Sequence, residues 1–218
     1  VTVIDTKAQK LASSLTLGGG HHEIAFTPDG KFTLVTSEAD DQLTLINTEN
    51  FKIVGSSDTG KLPVAVAVSS DGKRAFVANG GDGTVDIFSL PDLKLQTTLK
   101  VDPGSTSMTL SPDGRWAVIL NPNSDKVYVI DTASAELRQT LNIVNAPDQV
   151  AFGKETVYIR PLNGTSLIAI ALSDLGSEQA PKLIEIPYAT RAPGESQEQA
   201  IANPLATLPD DGAVLVAN

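Results

Sequence analysis

The chain has 218 residues, a formal charge of −10 at pH 7, 41% hydrophobic residues, a mean hydropathy of zero and no cysteine. The missing cysteine excludes disulfides, thiolate metal sites and a cysteine nucleophile, and the acidic balance argues against a nucleic-acid backbone or an anionic membrane surface as partner. No apolar run approaches the roughly 18 residues that would span a bilayer.

In chain order, the first element is "VTVIDT", a short β-branched strand followed by a second strand before "GGGHHE" at residues 18–23. "EIAFTPDGKFTLVTS" then reads as two strands joined by a Pro-Asp-Gly turn. The next stretch is the most regular: "VAVAVS", Asp71-Gly72, "RAFVAN", "GGDG", "TVDIFS" and "KLQTTLKV" give four strands, A to D, with tight turns. Val, Ile, Thr and Phe suit a pleated, half-buried surface, and Asp-Gly and Asn-Gly pairs suit the positive-φ positions of hairpins. "LSPDGRWAVILNPNSDKVYVIDT" repeats the pattern. "QVAFGKETVYI" departs from it, closing its turn through Gly153-Lys154. No segment holds a 3.6-residue apolar period over three turns.

Two independent marks carry one period. Asp29, Asp71 and Asp113 are spaced by 42 residues, and Ile4, Ile46, Ile87, Ile130 and Ile170 recur at steps of 42, 41, 43 and 40. Four-stranded units repeated every 40-odd residues predict an all-β fold, a β-propeller of four-stranded antiparallel blades. The expected organisation is one propeller domain over 1–218. Residues 1–19 supply strands C and D of a partial blade; 20–60, 61–102, 103–145 and 146–190 form whole blades; and 191–218 supply a long loop plus strands A and B. These are about five blade-equivalents. The two partial blades either join as one mixed blade or mark a fragment of a longer, seven-bladed propeller, the second being the expectation.

"AVSSDGKRAFVANGGDGTVDIF" and "LSPDGRWAVILNPNSDKVYVIDT" resemble the YVTN-type propeller repeat, whose relatives include haem-binding nitrite reductases, copper-binding nitrous oxide reductases and lactonases. The resemblance implies an exported bacterial or archaeal protein, periplasmic or at the cell surface. It also implies a central channel whose mouth is lined by the D–A and B–C loops. Sorted that way, His21, His22, Glu23, Glu38, Asp40, Asp41, Asp82 and Asp125 fall on one face, and Arg160 near the channel. A long loop, "YATRAPGESQEQAIAN" at 188–203, brings Tyr188, Arg191 and Glu195 to the same face. Loops longer than about 12 residues in compact domains are usually functional or disordered.

His21 and His22 are the chain's two histidines. Their positions align with Pro63, Ser105 and Pro147 and their successors, an ordinary strand start, and "PHEVAVSPDG"-like sequences are common in YVTN-type propellers. Adjacent residues of a strand point to opposite faces, so the pair does not readily share one ion. Imidazole suits zinc, copper or iron, so haem, copper and zinc are the candidate cofactors, none required by the sequence. Near-misses include "NGGDGTVD", where Val85 stands at the Asp of a calcium repeat, and no phosphate-binding or serine-nucleophile motif is present.

The leading functional expectation is a non-enzymatic binding or scaffold propeller that takes a partner protein or small-molecule ligand on the channel face and the 188–203 loop. The alternative is a metal- or haem-dependent periplasmic redox protein with His21 or His22 as ligand. A second alternative is a lactonase-like hydrolase using His22, Glu23 and Arg160.

Overall fold

The computed structural model describes residues 1–187 and, as backbone, the strands Leu205–Thr207 and Val214–Val216. Four four-stranded antiparallel sheets follow one another along the chain. Blade one is β3 (Ile24–Phe26), β4 (Phe32–Ser37), β5 (Gln42–Asn47) and β6 (Ile53–Asp58). Blade two is β7 (Pro63–Val68), β8 (Arg74–Asn79), β9 (Thr84–Ser89) and β10 (Leu95–Lys100). Blade three is β11 (Ser107–Leu110), β12 (Trp116–Asn121), β13 (Lys126–Asp131) and β14 (Glu136–Asn142). Blade four is β15 (Pro147–Phe152), β16 (Thr156–Pro161), β17 (Ser166–Ala171) and β18 (Ile184–Pro187). Each is a four-stranded antiparallel sheet with strands in sequence order. β1 (Thr2–Asp5) pairs with β2 (Lys10–Ser14) ahead of them, and β19 (Leu205–Thr207) pairs with β20 (Val214–Val216) after them. These are the blades of an all-β propeller.

The chain falls into two compact units, Val1–Thr98 and Leu99–Asn218. In the first, Leu34, Leu43, Leu45, Val66, Val68, Val77 and Phe88 form a buried core. In the second, Trp116, Val118, Leu120, Val127, Val129, Ile159 and Ile170 do the same. Strands B and C have sheet partners on both edges and are buried on both faces, so they read as unbroken apolar runs such as "WAVILN". Strand D is an edge with one face toward solvent and alternates instead, as in β6 and β10.

The Ser/Thr-x-Asp-Gly mark proves to be one hydrogen-bonded device used three times. The Thr27 hydroxyl donates to Asp29 Oδ1 (2.7 Å) while its oxygen accepts the Phe32 amide (3.1 Å), and Asp29 Oδ1 accepts the Lys31 amide (3.1 Å). Ser69 with Asp71 and Ser111 with Asp113 repeat it. The glycine after each Asp takes the left-handed backbone, φ 69°, 69° and 70°, which a side chain disfavours. Blade four lacks the motif, and in its turn the Gly153 amide donates to Thr156 O (2.8 Å).

A β-bulge recurs where strand A begins. Pro63 pairs with Asn79 but Ala65 with Ala78, and Pro147 pairs with Pro161 but Gln149 with Arg160. One residue of strand A, Val64 or Asp148, is left over, and such bulges re-aim a side chain. The repeat places His22 at this position in blade one.

Candidate functional site

Antiparallel topology puts the B–C loop of each blade and the loop leading into its strand A at the same end of the sheet. In blade one this end is built from "GGGHHE" and the 3₁₀ turn Glu38–Asp40. The two segments are stitched together. The Gly19 amide donates to Asp40 Oδ2 (2.8 Å), the His21 amide to Glu38 Oε2 (3.1 Å), the Glu38 amide to His21 O (3.1 Å) and the Ala39 amide to Gly19 O (3.1 Å). The approach is close enough to dictate the glycines. A Cβ on Gly18 would lie 1.6 Å from Asp40 Oδ2, and one on Gly20, at φ +86°, would lie 2.8 Å from the Ala39 nitrogen.

The two imidazoles are held differently. His21 is exposed, and its Nε2 lies 3.2 Å from Glu23 Oε1. A carboxylate accepts, so Nε2 carries the proton of neutral His21. His22 is half-buried, and its Nδ1 lies 2.6 Å from the carbonyl of Thr36. A carbonyl can only accept, so Nδ1 carries the proton there, and the lone pair of neutral His22 is on Nε2, the outer ring nitrogen. By the same reasoning neutral His21 keeps its lone pair on Nδ1, so the two rings offer different nitrogens, and His22 is the one that offers Nε2.

The carboxylates expected on this face are mostly committed to backbone. Glu38 and Asp40 hold the loop already described. Asp41 Oδ1 accepts the Leu62 amide (2.9 Å) and Oδ2 pairs with Lys61 Nζ (2.5 Å). That ammonium holds the Asp41 carboxyl below the usual aspartate range and is itself raised in return. Asp82 accepts the Lys61 amide (3.0 Å) and the Thr84 hydroxyl (2.8 Å). In the second unit, Asp125 Oδ1 accepts the Ala146 amide (2.7 Å). Arg160 is 4% exposed and makes a two-pronged pair with Asp148, through Nε to Oδ1 (3.1 Å) and Nη2 to Oδ2. Tyr188, Arg191 and Glu195 lie outside the described residues, as does the 188–203 loop.

Among the described residues, no group of three or more His, Asp or Glu comes together as a metal site. No helix there is long and apolar enough to cross a membrane. Sequence reasoning overlooked Thr36 and Asp148. Thr36 is fully buried on strand B where the other blades carry Ala78, Leu120 and Arg160. A polar residue at a position that two repeats fill with apolar ones was the available signal.

The class defined by these blades is the all-β propeller with polar side chains gathered on its loops. More closely, the chain belongs to the family described as the cytochrome D1 heme domain, which matches residues 27–149, more than half of the chain. Propellers of that family carry eight blades, against the seven that the YVTN-type resemblance implies. No curated protein sequence matches the chain. Among solved structures, a functionally unknown protein from Desulfotomaculum acetoxidans is similar at 18% identity and a TM-score of 0.77, over 99% of this chain and 68% of that one. The dihydro-heme d1 dehydrogenase NirN in complex with DHE is similar at 17% identity and 0.64, over 99% and 43%. Hydrazine synthase of Kuenenia stuttgartiensis is similar at 20% identity and 0.63, over 74% and 48%. The chain thus spans under half the length of the last two, and at these identities the likeness is one of fold.

Proposed function

We propose that the chain is the haem-binding propeller of an exported redox protein, with His22 as the axial ligand of a d1-type haem. The observation that carries this reading is the His22 ring, with Nδ1 bonded to Thr36 O at 2.6 Å and Nε2 left as the lone-pair nitrogen. Family membership supplies the class of group. The family match begins at Thr27, so His22 enters on geometry alone.

The donor set fits a haem better than a bare ion. A haem iron already has four ring nitrogens and takes one or two axial ligands from protein, whereas zinc and copper sites draw three or four protein ligands. One presented imidazole with no carboxylate cluster beside it, among the described residues, meets the first requirement. Bound haem would supply one-electron chemistry at its iron. The chain's part is to hold one nitrogen still: Glu38 and Asp40 fasten the loop, Glu23 holds the ring of His21, and Thr36 orients His22.

Export follows from the same kinship and is part of the proposal, with the periplasm or cell surface as the address. The hydrolase alternative has less support, because Glu23 is paired with His21 and Arg160 with Asp148. The scaffold alternative calls on the channel face and on the 188–203 loop, of which the loop lies outside the described residues.

Titrating the purified chain with haem d1, followed by visible absorption, tests the reading. The expected result is a one-to-one complex whose spectrum is that of an imidazole-ligated haem, lost in His22→Ala and kept in His21→Ala. Unchanged binding and spectrum in His22→Ala would overturn it.

A further inference from the structure

We propose that Thr36 is the positioning residue for His22, acting through an exchange of hydrogen bonds at the strand edge; the inference rests on the reading of His22 as a haem ligand. In an antiparallel pair the carbonyl of a strand B residue serves the backbone amides of strand A. Ile24 pairs with Val35, so Glu23 stands opposite Thr36, and in a hydrogen-bonded pair the two residues exchange both N–H···O bonds, which makes the Glu23 amide the donor expected at Thr36 O. In blade three the carbonyl at this place, Leu120 O, does accept a strand A backbone amide, that of Thr106 (3.0 Å). Blade one does something else. The Thr36 amide still donates to Glu23 O (3.0 Å). The Glu23 amide, however, donates to the Thr36 hydroxyl oxygen (3.0 Å), and Thr36 O takes the imidazole Nδ1–H instead.

The hydroxyl therefore satisfies a backbone donor that would otherwise compete for the carbonyl, and the released carbonyl fixes the ring. Thr36 is 0% exposed, so no water stands ready to take over either bond, and a buried donor left unmade is costly. The consequence is specific to the ring. A carbonyl partner on Nδ1 sets the tautomer, orients the imidazole and makes Nε2 more basic, as outer hydrogen bonds do for metal-bound histidines. Ala78 and Leu120, at the same position in blades two and three, carry no hydroxyl, and the position of His22 is held there by Val64 and Thr106.

The test compares the wild-type chain with Thr36→Val, which keeps the shape without the hydroxyl, and Thr36→Ser, which keeps the hydroxyl. Side-chain ¹⁵N NMR without haem, at about pH 8 where imidazoles are neutral, reads the tautomer of His22, with His21→Ala assigning the two rings. The expected result is an Nδ1–H tautomer for His22 in the wild type and in Thr36→Ser, and a mixture of tautomers in Thr36→Val. In parallel, affinity for haem d1 should fall about 10-fold or more in Thr36→Val and recover in Thr36→Ser. An Nε2–H tautomer in the wild type, loss of the Nδ1–H form in Thr36→Ser, or an unaltered tautomer in Thr36→Val would overturn the proposal. The first two readouts stand even where the Val variant does not fold. The expected tautomers together with haem binding that ignores His22→Ala would leave the positioning device in place and refute the ligand reading instead.

Discussion

Three adjacent glycines precede the histidines, and the structure assigns them unequal tolerance. In Gly20→Ala the new side chain meets two obstacles: a φ of +86° and a Cβ position 2.8 Å from the backbone nitrogen of Ala39. The left-handed backbone alone costs a non-glycine residue about 1–2 kcal/mol, and a backbone atom cannot swing aside as a side chain can. The cheaper escape is for the loop to lift from the 3₁₀ turn. That sacrifices the bonds from the Ala39 amide to Gly19 O and from the Gly19 amide to Asp40, each worth about 1 kcal/mol. Either route costs about 2 kcal/mol, or about 4–8 °C in Tm for a chain of this size. Gly19→Ala is the control. Its Cβ would sit 3.6 Å from Ala39 Cβ, an ordinary contact, at a φ outside the left-handed region, so its effect should stay within about 0.5 kcal/mol. Thermal unfolding followed by circular dichroism measures both. Equal shifts, or a neutral Gly20→Ala, would refute the close approach on which the placement of His22 depends.

The Asp-Gly turns make the fold acid-sensitive with a definite sign. Asp29, Asp71 and Asp113 are each held below the usual aspartate range, chiefly by the hydroxyls of Thr27, Ser69 and Ser111. Their contribution is therefore complete above the ordinary aspartate range and disappears as the pH falls through the lowered values. Tm should drop steeply below about pH 4, and less steeply in Asp113→Asn; identical pH profiles would contradict this. Ser111→Ala strips the buried Trp116 amide of its 2.9 Å acceptor and should cost about 1–3 kcal/mol in chemical denaturation, with Ser111→Thr, the residue type blade one uses as Thr27, restoring most of it. Asp148→Ala leaves the buried Arg160 charge without its carboxylate and should cost about 3–5 kcal/mol. Joint replacement by Thr and Leu, which blade three carries as Thr106 and Leu120, should cost clearly less, and a double variant no better than the single one would argue against the ion pair as the cause.

Much of the fold was legible because the period enforces itself chemically. A Ser or Thr two residues before Asp-Gly builds the same turn three times, so the recurrence at 42 residues marks one physical unit. Strand limits followed: "RAFVAN" and "TVDIFS" are β8 and β9 to the residue. The candidate site was legible only in outline. Loop order put His21, His22 and their neighbouring carboxylates at one end of blade one, but the alternation of strand side chains could not say what each ring does. That depends on which acceptor each nitrogen finds, Glu23 for His21 and a backbone carbonyl for His22, and a carbonyl leaves no trace in residue identity. The carboxylates show the converse. Asp40, Asp41, Asp82 and Asp125 look like a ligand-binding face when only loop position is known, yet each is bonded to a backbone amide of the segment leading into a strand A. Acidic residues on this end therefore serve first to fasten its loops, and in blade one the fastened loop is the one that carries His22. Thr36 is where the two kinds of information meet. Its hydroxyl is visible in the sequence as an exception to the apolar pattern, and its carbonyl, which holds the ring, is visible only in the fold.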